Sequence, residues 1–155
     1  MADIIVLRGT IDAGKTTTCG FIYQGLLPIC NQEHTFNGRI VQTDSLRFTQ
    51  NNTVIDFEAI LTLPNGILVG IISAGDDYQL RAKLEDHIAK GVHTIICCTR
   101  SINRDGSTFR MIQDEFQPTH PIVLEQWVPW TQNGNLRTIK APVVNTVVNF
   151  VRSLL

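Results

Sequence analysis

Apolar residues in this chain gather into short continuous runs separated by helical stripes. The first run, Ile4-Ile5-Val6-Leu7, is β-branched and closed by Arg8-Gly9, the pattern of a strand buried on both faces. A stripe at Cys19, Ile22, Tyr23, Leu26 and Leu27 predicts a helix that Pro28 ends. Arg39 to Thr43 reads as a second short strand stopping at Asp44, and residues 28–38 form the longest irregular stretch. Val54 to Leu63 and Ile67 to Ile72 flank Pro64-Asn65-Gly66, the strongest short-range hairpin signal in the chain. The second of these runs is apolar throughout, which predicts a central strand, and it ends at Ser73-Ala74-Gly75-Asp76.

Beyond it, Asp77 can cap a helix with Leu80, Leu84 and Ile88 on one face, closed by Gly91. His93 to Cys98 reads as a further buried strand, ending at Thr99-Arg100. A helix from about Asp105 carries Phe109, Ile112 and Phe116 inward, with Pro118 just past its end. Ile122-Val123-Leu124 forms the last strand, and Trp127 to Lys140 reads as a loop. Val143, Val144, Val147, Val148, Val151 and Leu154 then mark the inward face of a closing helix, with Pro142 near its start. Strands alternating with helices predict an α/β fold: a mainly parallel sheet with one antiparallel hairpin, sandwiched between helices. No internal repeat or low-complexity tract is present, and 155 residues fit a single domain, residues 1–155.

The octet Gly9-Thr10-Ile11-Asp12-Ala13-Gly14-Lys15-Thr16 matches G-x-x-x-x-G-K-[ST] at every fixed position, between a predicted strand and a predicted helix. Glycines let backbone N–H groups turn inward around a phosphate at a helix N-terminus, where the dipole favours an anion. Lys15 would reach the β- and γ-phosphates and the Thr16 hydroxyl would ligate Mg²⁺. The expected nucleotide-binding set is Gly9, Asp12, Ala13, Gly14, Lys15, Thr16 and Thr17, with no side-chain role assigned to Arg8 or Asp12.

On Gly9, Gly14, Lys15 and Thr16, and on the strand–helix alternation around them, the chain resembles the P-loop nucleoside triphosphate hydrolase superfamily. That resemblance implies a three-layer α/β/α fold and ATP–Mg²⁺ binding. It does not select among kinases, GTPases and motor ATPases, which share the fold and the loop. The resemblance also calls for a carboxylate near the metal, at the end of the strand beside the octet's strand. Ile67 to Ile72 is the candidate strand, but Ser73 follows it and Asp76 comes three places later. Either Ser73 holds the metal through water while Asp76 acts at the γ-phosphate, or Asp76 is itself the carboxylate just outside the metal's direct ligands. The alternative role of Asp76 is helix capping beside Asp77.

Asp44 ends a short strand, and the carboxyl ends of strands face the ligand crevice of open α/β sheets. In many small-molecule and nucleoside kinases of the superfamily an acid at a similar place binds the acceptor hydroxyl. Arg100, followed by Arg104 and Arg110, would stabilise charge on a transferring phosphoryl group, or else these arginines pair with Asp105 and Glu115. Trp127-Val128-Pro129-Trp130 occupies the region that often packs on the base in P-loop kinases, with ordinary packing as the alternative. His34, His87, His93 and His120 are scattered, and none is read as a ligand or base.

With 13 Lys+Arg against 14 Asp+Glu, no global field favours nucleic acid or an acidic membrane. Cys19, Cys30, Cys97 and Cys98 lack zinc spacing and read as buried reduced thiols, with Cys97 and Cys98 on opposite faces of a strand. Without a basic leader or an apolar run near the ~18 residues of a membrane span, a cytoplasmic location is expected. Three functions follow: a kinase acting on a small-molecule or nucleotide acceptor, a switch-type NTPase, and a non-catalytic nucleotide-binding module. The kinase reading draws on Asp44 and Arg100, although 155 residues leave little room for lid and acceptor insertions. Against the GTPases, Ile72 stands where D-x-x-G needs its Asp and no N/T-K-x-D occurs, so adenine is favoured over guanine.

Overall fold

A computed structural model describes residues 1–10, 14–30, 32–34, 40–41, 56–74, 79–100, 106–129 and 136–155. Its strands are β1 (Asp3–Gly9), β2 (Gln32–His34), β3 (Ile40–Val41), β4 (Glu58–Thr62), β5 (Leu68–Ile72), β6 (Thr94–Arg100) and β7 (Ile122–Trp127). The helices are α1 (Lys15–Leu26), α2 (Gln79–Ala89), α3 (Thr108–Met111, continuing as a π-type turn over Ile112–Phe116) and α4 (Leu136–Arg152).

All these strands join one sheet in the order β3-β2-β4-β5-β6-β1-β7. In the parallel part, β5-β6-β1-β7, the strands β5, β6 and β1 carry the apolar runs that read as buried in the sequence, and β7 closes the edge with a half-buried, half-exposed alternation. Alternation splits them cleanly. Ile5, Leu7, Ile71, Ile96 and Cys98 face α1 and α4, whereas Ile4, Val6, Ile72, Ile95 and Cys97 face α2 and α3. The two adjacent cysteines therefore do lie in different cores, as the period of a strand requires.

The antiparallel hairpin forms about Asn65-Gly66, with Gly66 at φ 86° and β4 paired to β5 from Glu58↔Ile72 to Thr62↔Leu68. Its second strand is interior, between β4 and β6. Three expectations are corrected here. Residues 28–38 are not wholly irregular: Gln32–His34 pairs with β4 and β3, extending the antiparallel part of the sheet beyond the hairpin. The helix expected from about Asp105 begins at Thr108, because the Ser107 hydroxyl accepts from the Arg110 N–H and caps it. Asp105 itself lies outside the described residues.

The third correction concerns α4, which starts at Leu136, so residues 136–140 are helix rather than loop and Pro142 lies inside it. An interior proline costs a helix about 3 kcal/mol. Val143, Val147, Val148 and Val151 are buried against Cys19, Ile22, Tyr23 and Leu26 of α1. At roughly 1.5–3 kcal/mol for each fully buried aliphatic side chain, that seam outweighs the proline.

On the other face, His87 of α2 is fully buried and its Nε2 lies 3.2 Å from Oε1 of Glu58 on β4. Its Nδ1 has no hydrogen-bond partner among the described residues and faces Gly70 of β5. A Cβ at Gly70 would overlap Nδ1 and stand 2.9 Å from Cε1. The absence of a side chain at Gly70 is what admits the ring. Gly70→Ala should therefore destabilise the protein by roughly 1–3 kcal/mol in chemical denaturation. In Gly70→Ala/His87→Ala the cost should fall well below the sum of the single changes, and additive losses would contradict this packing.

Candidate functional site

The chain leaves β1 at Gly9 and enters α1 through Gly14, whose φ of 82° is left-handed and suits glycine alone at low cost. The first helical bond runs from the Thr18 N–H to the Gly14 carbonyl (2.9 Å), and the Thr18 hydroxyl donates to the same oxygen (2.8 Å). Lys15 is 6% exposed. Its Nζ donates to the carbonyls of Gly9 (3.0 Å) and Thr99 (3.1 Å), the last residue of β1 and the penultimate residue of β6. These oxygens are neighbours because β1 and β6 are parallel, with Arg8 opposite Thr99 and Gly9 opposite Arg100. The ammonium is thus held across the carboxyl ends of two strands.

Thr16, in the first turn of α1, donates from its hydroxyl to Asp56 Oδ1 at 2.5 Å. Ser73 Oγ lies 3.4 Å from the same carboxylate oxygen and accepts from the Phe57 N–H at 2.7 Å. The Ser73 N–H donates to the Phe57 carbonyl at 3.0 Å, so the β4–β5 ladder continues one step past its last strand pair. That step brings Asp56, Ser73 and Thr16 together. Three hard oxygen donors, one of them a carboxylate, match what Mg²⁺ takes from protein when phosphates and water supply the rest. Among the described residues no cluster of three or more His, Cys, Asp or Glu suited to a metal occurs.

Sequence reasoning missed Asp56, and it also misplaced the strand. β5 does not lie beside β1, because β6 stands between them. The hairpin itself carried the missing signal: Glu58 and Ile72 lie seven positions either side of Asn65 and pair. Reflection through that turn sets Phe57 against Ser73 and puts Asp56 at the end of β5.

Of the other expected residues, Arg100 sits level with Gly9 at the end of β6, half-buried, its N–H donating to the Thr108 hydroxyl at 3.3 Å. Thr17 is half-buried in the first turn of α1. Asp12, Ala13, Asp44, Asp76, Asp77, Arg104 and Trp130 lie outside the described residues. Glu115, offered from the sequence as a partner for these arginines, binds Arg81 of α2, which donates from Nη2 (2.6 Å) and Nε (3.0 Å).

Arg8, given no role from the sequence, pairs with Glu125 at 2.6 Å and lies between two rings, 3.9 Å from the Phe109 centroid and 4.5 Å from that of Trp127. It ties the end of β1 to β7 and α3. Trp127 remains 57% exposed on that stack. His93 Nδ1 lies 2.8 Å from the neighbouring Thr94 hydroxyl, and His120 Nδ1 accepts from the distant Ala2 N–H at 2.9 Å.

Beneath the Lys15 turn, the Cys19 and Cys98 sulfurs approach to 3.1 Å, and Cys98 Sγ lies 3.9 Å from the Lys15 carbonyl. The bond to Cys98, reinforced by burial, holds the Cys19 thiol well above its ordinary pKa, and burial raises Cys97 likewise. No protein-family model, curated protein or solved structure matches this chain.

Burial shields Cys19, Cys97 and Cys98 from reagent, and the raised pKa of Cys19 and Cys97 further suppresses their thiolates at neutral pH. Iodoacetamide at pH 7.5 should therefore alkylate half-buried Cys30 first, and reach Cys19, Cys97 and Cys98 only after denaturant is added. Peptide mass spectrometry checks this, and rapid labelling of Cys19 in the folded protein would contradict the buried sulfur contact.

Proposed function

We propose that the chain is a P-loop protein of three-layer α/β/α architecture that binds ATP with Mg²⁺ at the Gly9–Thr17 loop and transfers its γ-phosphoryl group. The observation that carries this reading is the joint placement of Lys15 on two strand-end carbonyls and of Thr16 against Asp56. In it, backbone N–H groups at the start of α1 bind the β-phosphate, and Lys15 exchanges its carbonyl partners for phosphate oxygens. Thr16 would hold Mg²⁺ through its hydroxyl, with Asp56 and Ser73 supporting the ion beside it. When bound, Mg²⁺ neutralises charge between the β- and γ-phosphates. Asp56 takes over the part first expected of Asp76, which leaves Asp76 for the γ-phosphate side.

The reaction is most specifically read as kinase chemistry on a small-molecule or nucleotide acceptor. Arg100, level with the start of the loop, supports charge on the transferred group, and Asp44 serves the acceptor hydroxyl. The competing reading is an NTPase, in which water is the acceptor.

Calorimetry with ATP tests the binding half. Lys15→Ala should abolish binding with the fold intact, and equal affinity in the wild type and this variant would sink the proposal. Asp56→Asn should weaken the Mg²⁺-dependent part of binding by about 10–100-fold and leave metal-free ATP binding nearly unchanged. Product analysis against a panel of nucleotides and small alcohols tests the second half. Asp44→Asn should reduce transfer by ~10²–10⁴ without loss of ATP affinity. Unchanged hydrolysis in that variant, with no phosphorylated product from any acceptor, would favour the NTPase.

A further inference from the structure

Lys140 stands where the sequence pattern reads as loop, but it belongs to the second turn of α4 and is completely buried. Its Cε and Nζ lie 3.3 and 3.4 Å from where a Cβ on Gly14 would stand. The Nζ donates to the carbonyl of Pro129, two residues past the end of β7. Pro129 is itself held near the octet, because the preceding Val128 N–H donates to the Arg8 carbonyl at 2.7 Å. A second ammonium group is thus fixed against the residue where α1 begins, next in sequence to Lys15.

That is an expensive place for a cation. Burial lowers the Lys140 pKa, and the N-terminus of α1 is the positive end of its dipole. Both effects oppose the charged form, and both are offset when an anion occupies the loop. Low-dielectric surroundings also extend the reach of the charge, so direct contact with the ligand is not required. Gly14 is accordingly constrained twice, by its left-handed backbone and by the lysine packed on its Cα.

We propose that Lys140 is a second cation of the phosphate loop, set behind Gly14 so that its charge joins that of Lys15 in attracting an anionic polyphosphate. The proposal rests on the nucleotide reading above. It makes Lys140 a positioning and field-setting residue whose contribution grows with the charge of the ligand.

The test compares wild type, Lys140→Met, which keeps the aliphatic length without charge, and Lys140→Gln, which keeps a donor for Pro129. Binding of ATP and AMP is measured by calorimetry, and thermal stability is measured without nucleotide. Both variants should bind ATP on the order of tenfold more weakly and AMP by no more than about threefold. Without nucleotide, both variants should still unfold in a single cooperative transition, which separates a loss of charge from a loss of fold. Unchanged ATP affinity, or equal losses for ATP and AMP, would overturn the proposal while leaving the nucleotide reading intact. Failure of both variants to fold would make Lys140 a packing strut and overturn it too. A folded wild type that binds neither nucleotide would remove the nucleotide reading itself, and this proposal with it.

Discussion

The parallel register of β1 against β6 is the constraint from which the candidate site follows. Gly9 and Thr99 offer adjacent carbonyls to Lys15 only because Arg8 stands opposite Thr99 in that register. A slip of β6 by one residue would reverse its two faces. It would carry Cys98 away from Cys19 and the α1 core, and Cys97 away from the α2 side. Core packing on both faces and the lysine's position are therefore set by one alignment. Arg8 secures the same strand end from outside, through Glu125, Phe109 and Trp127.

Much of this organisation was legible in the sequence. Ile4 to Leu7, Ile67 to Ile72 and His93 to Cys98 are continuous apolar runs because both faces of those strands are covered, and continuous runs are what such strands require. Asn65-Gly66 marked the hairpin through turn chemistry alone. Gln32–His34 escaped notice because three residues, Gln-Glu-His, show no apolar alternation; backbone pairing to β4 makes them a strand. The start of α4 escaped because Pro142 looked like a first-turn residue, and only the valine seam against α1 explains how the helix accommodates it.

The candidate site divides along the same line. Gly9, Gly14, Lys15 and Thr16 are contiguous in the chain, so local spacing found them. Asp56 and Lys140 reach the octet from 40 and 126 positions beyond Thr16 and Gly14, through a hairpin register and a helix packing angle. Local pattern cannot supply either. The proposed metal carboxylate enters from an antiparallel neighbour of β5 instead of from β5 itself, and Ser73 occupies the strand end as a bridge between them.

The chain order of the sheet has a consequence for how this protein is made. The β4–β5 hairpin joins nearby residues and can close early, at little cost in loop entropy. The carbonyl that completes the Lys15 clasp lies 84 positions along the chain, and β7, which encloses β1 from its other side, comes later still. During synthesis the octet therefore emerges well before β6 and β7, the strands that complete its walls. Until β6 and β7 are inserted, β1 exposes Ile4-Ile5-Val6-Leu7 with two open edges, the kind of segment that favours intermolecular pairing. Whatever occupies the octet meets its complete set of walls only once β6 and β7 have joined β1.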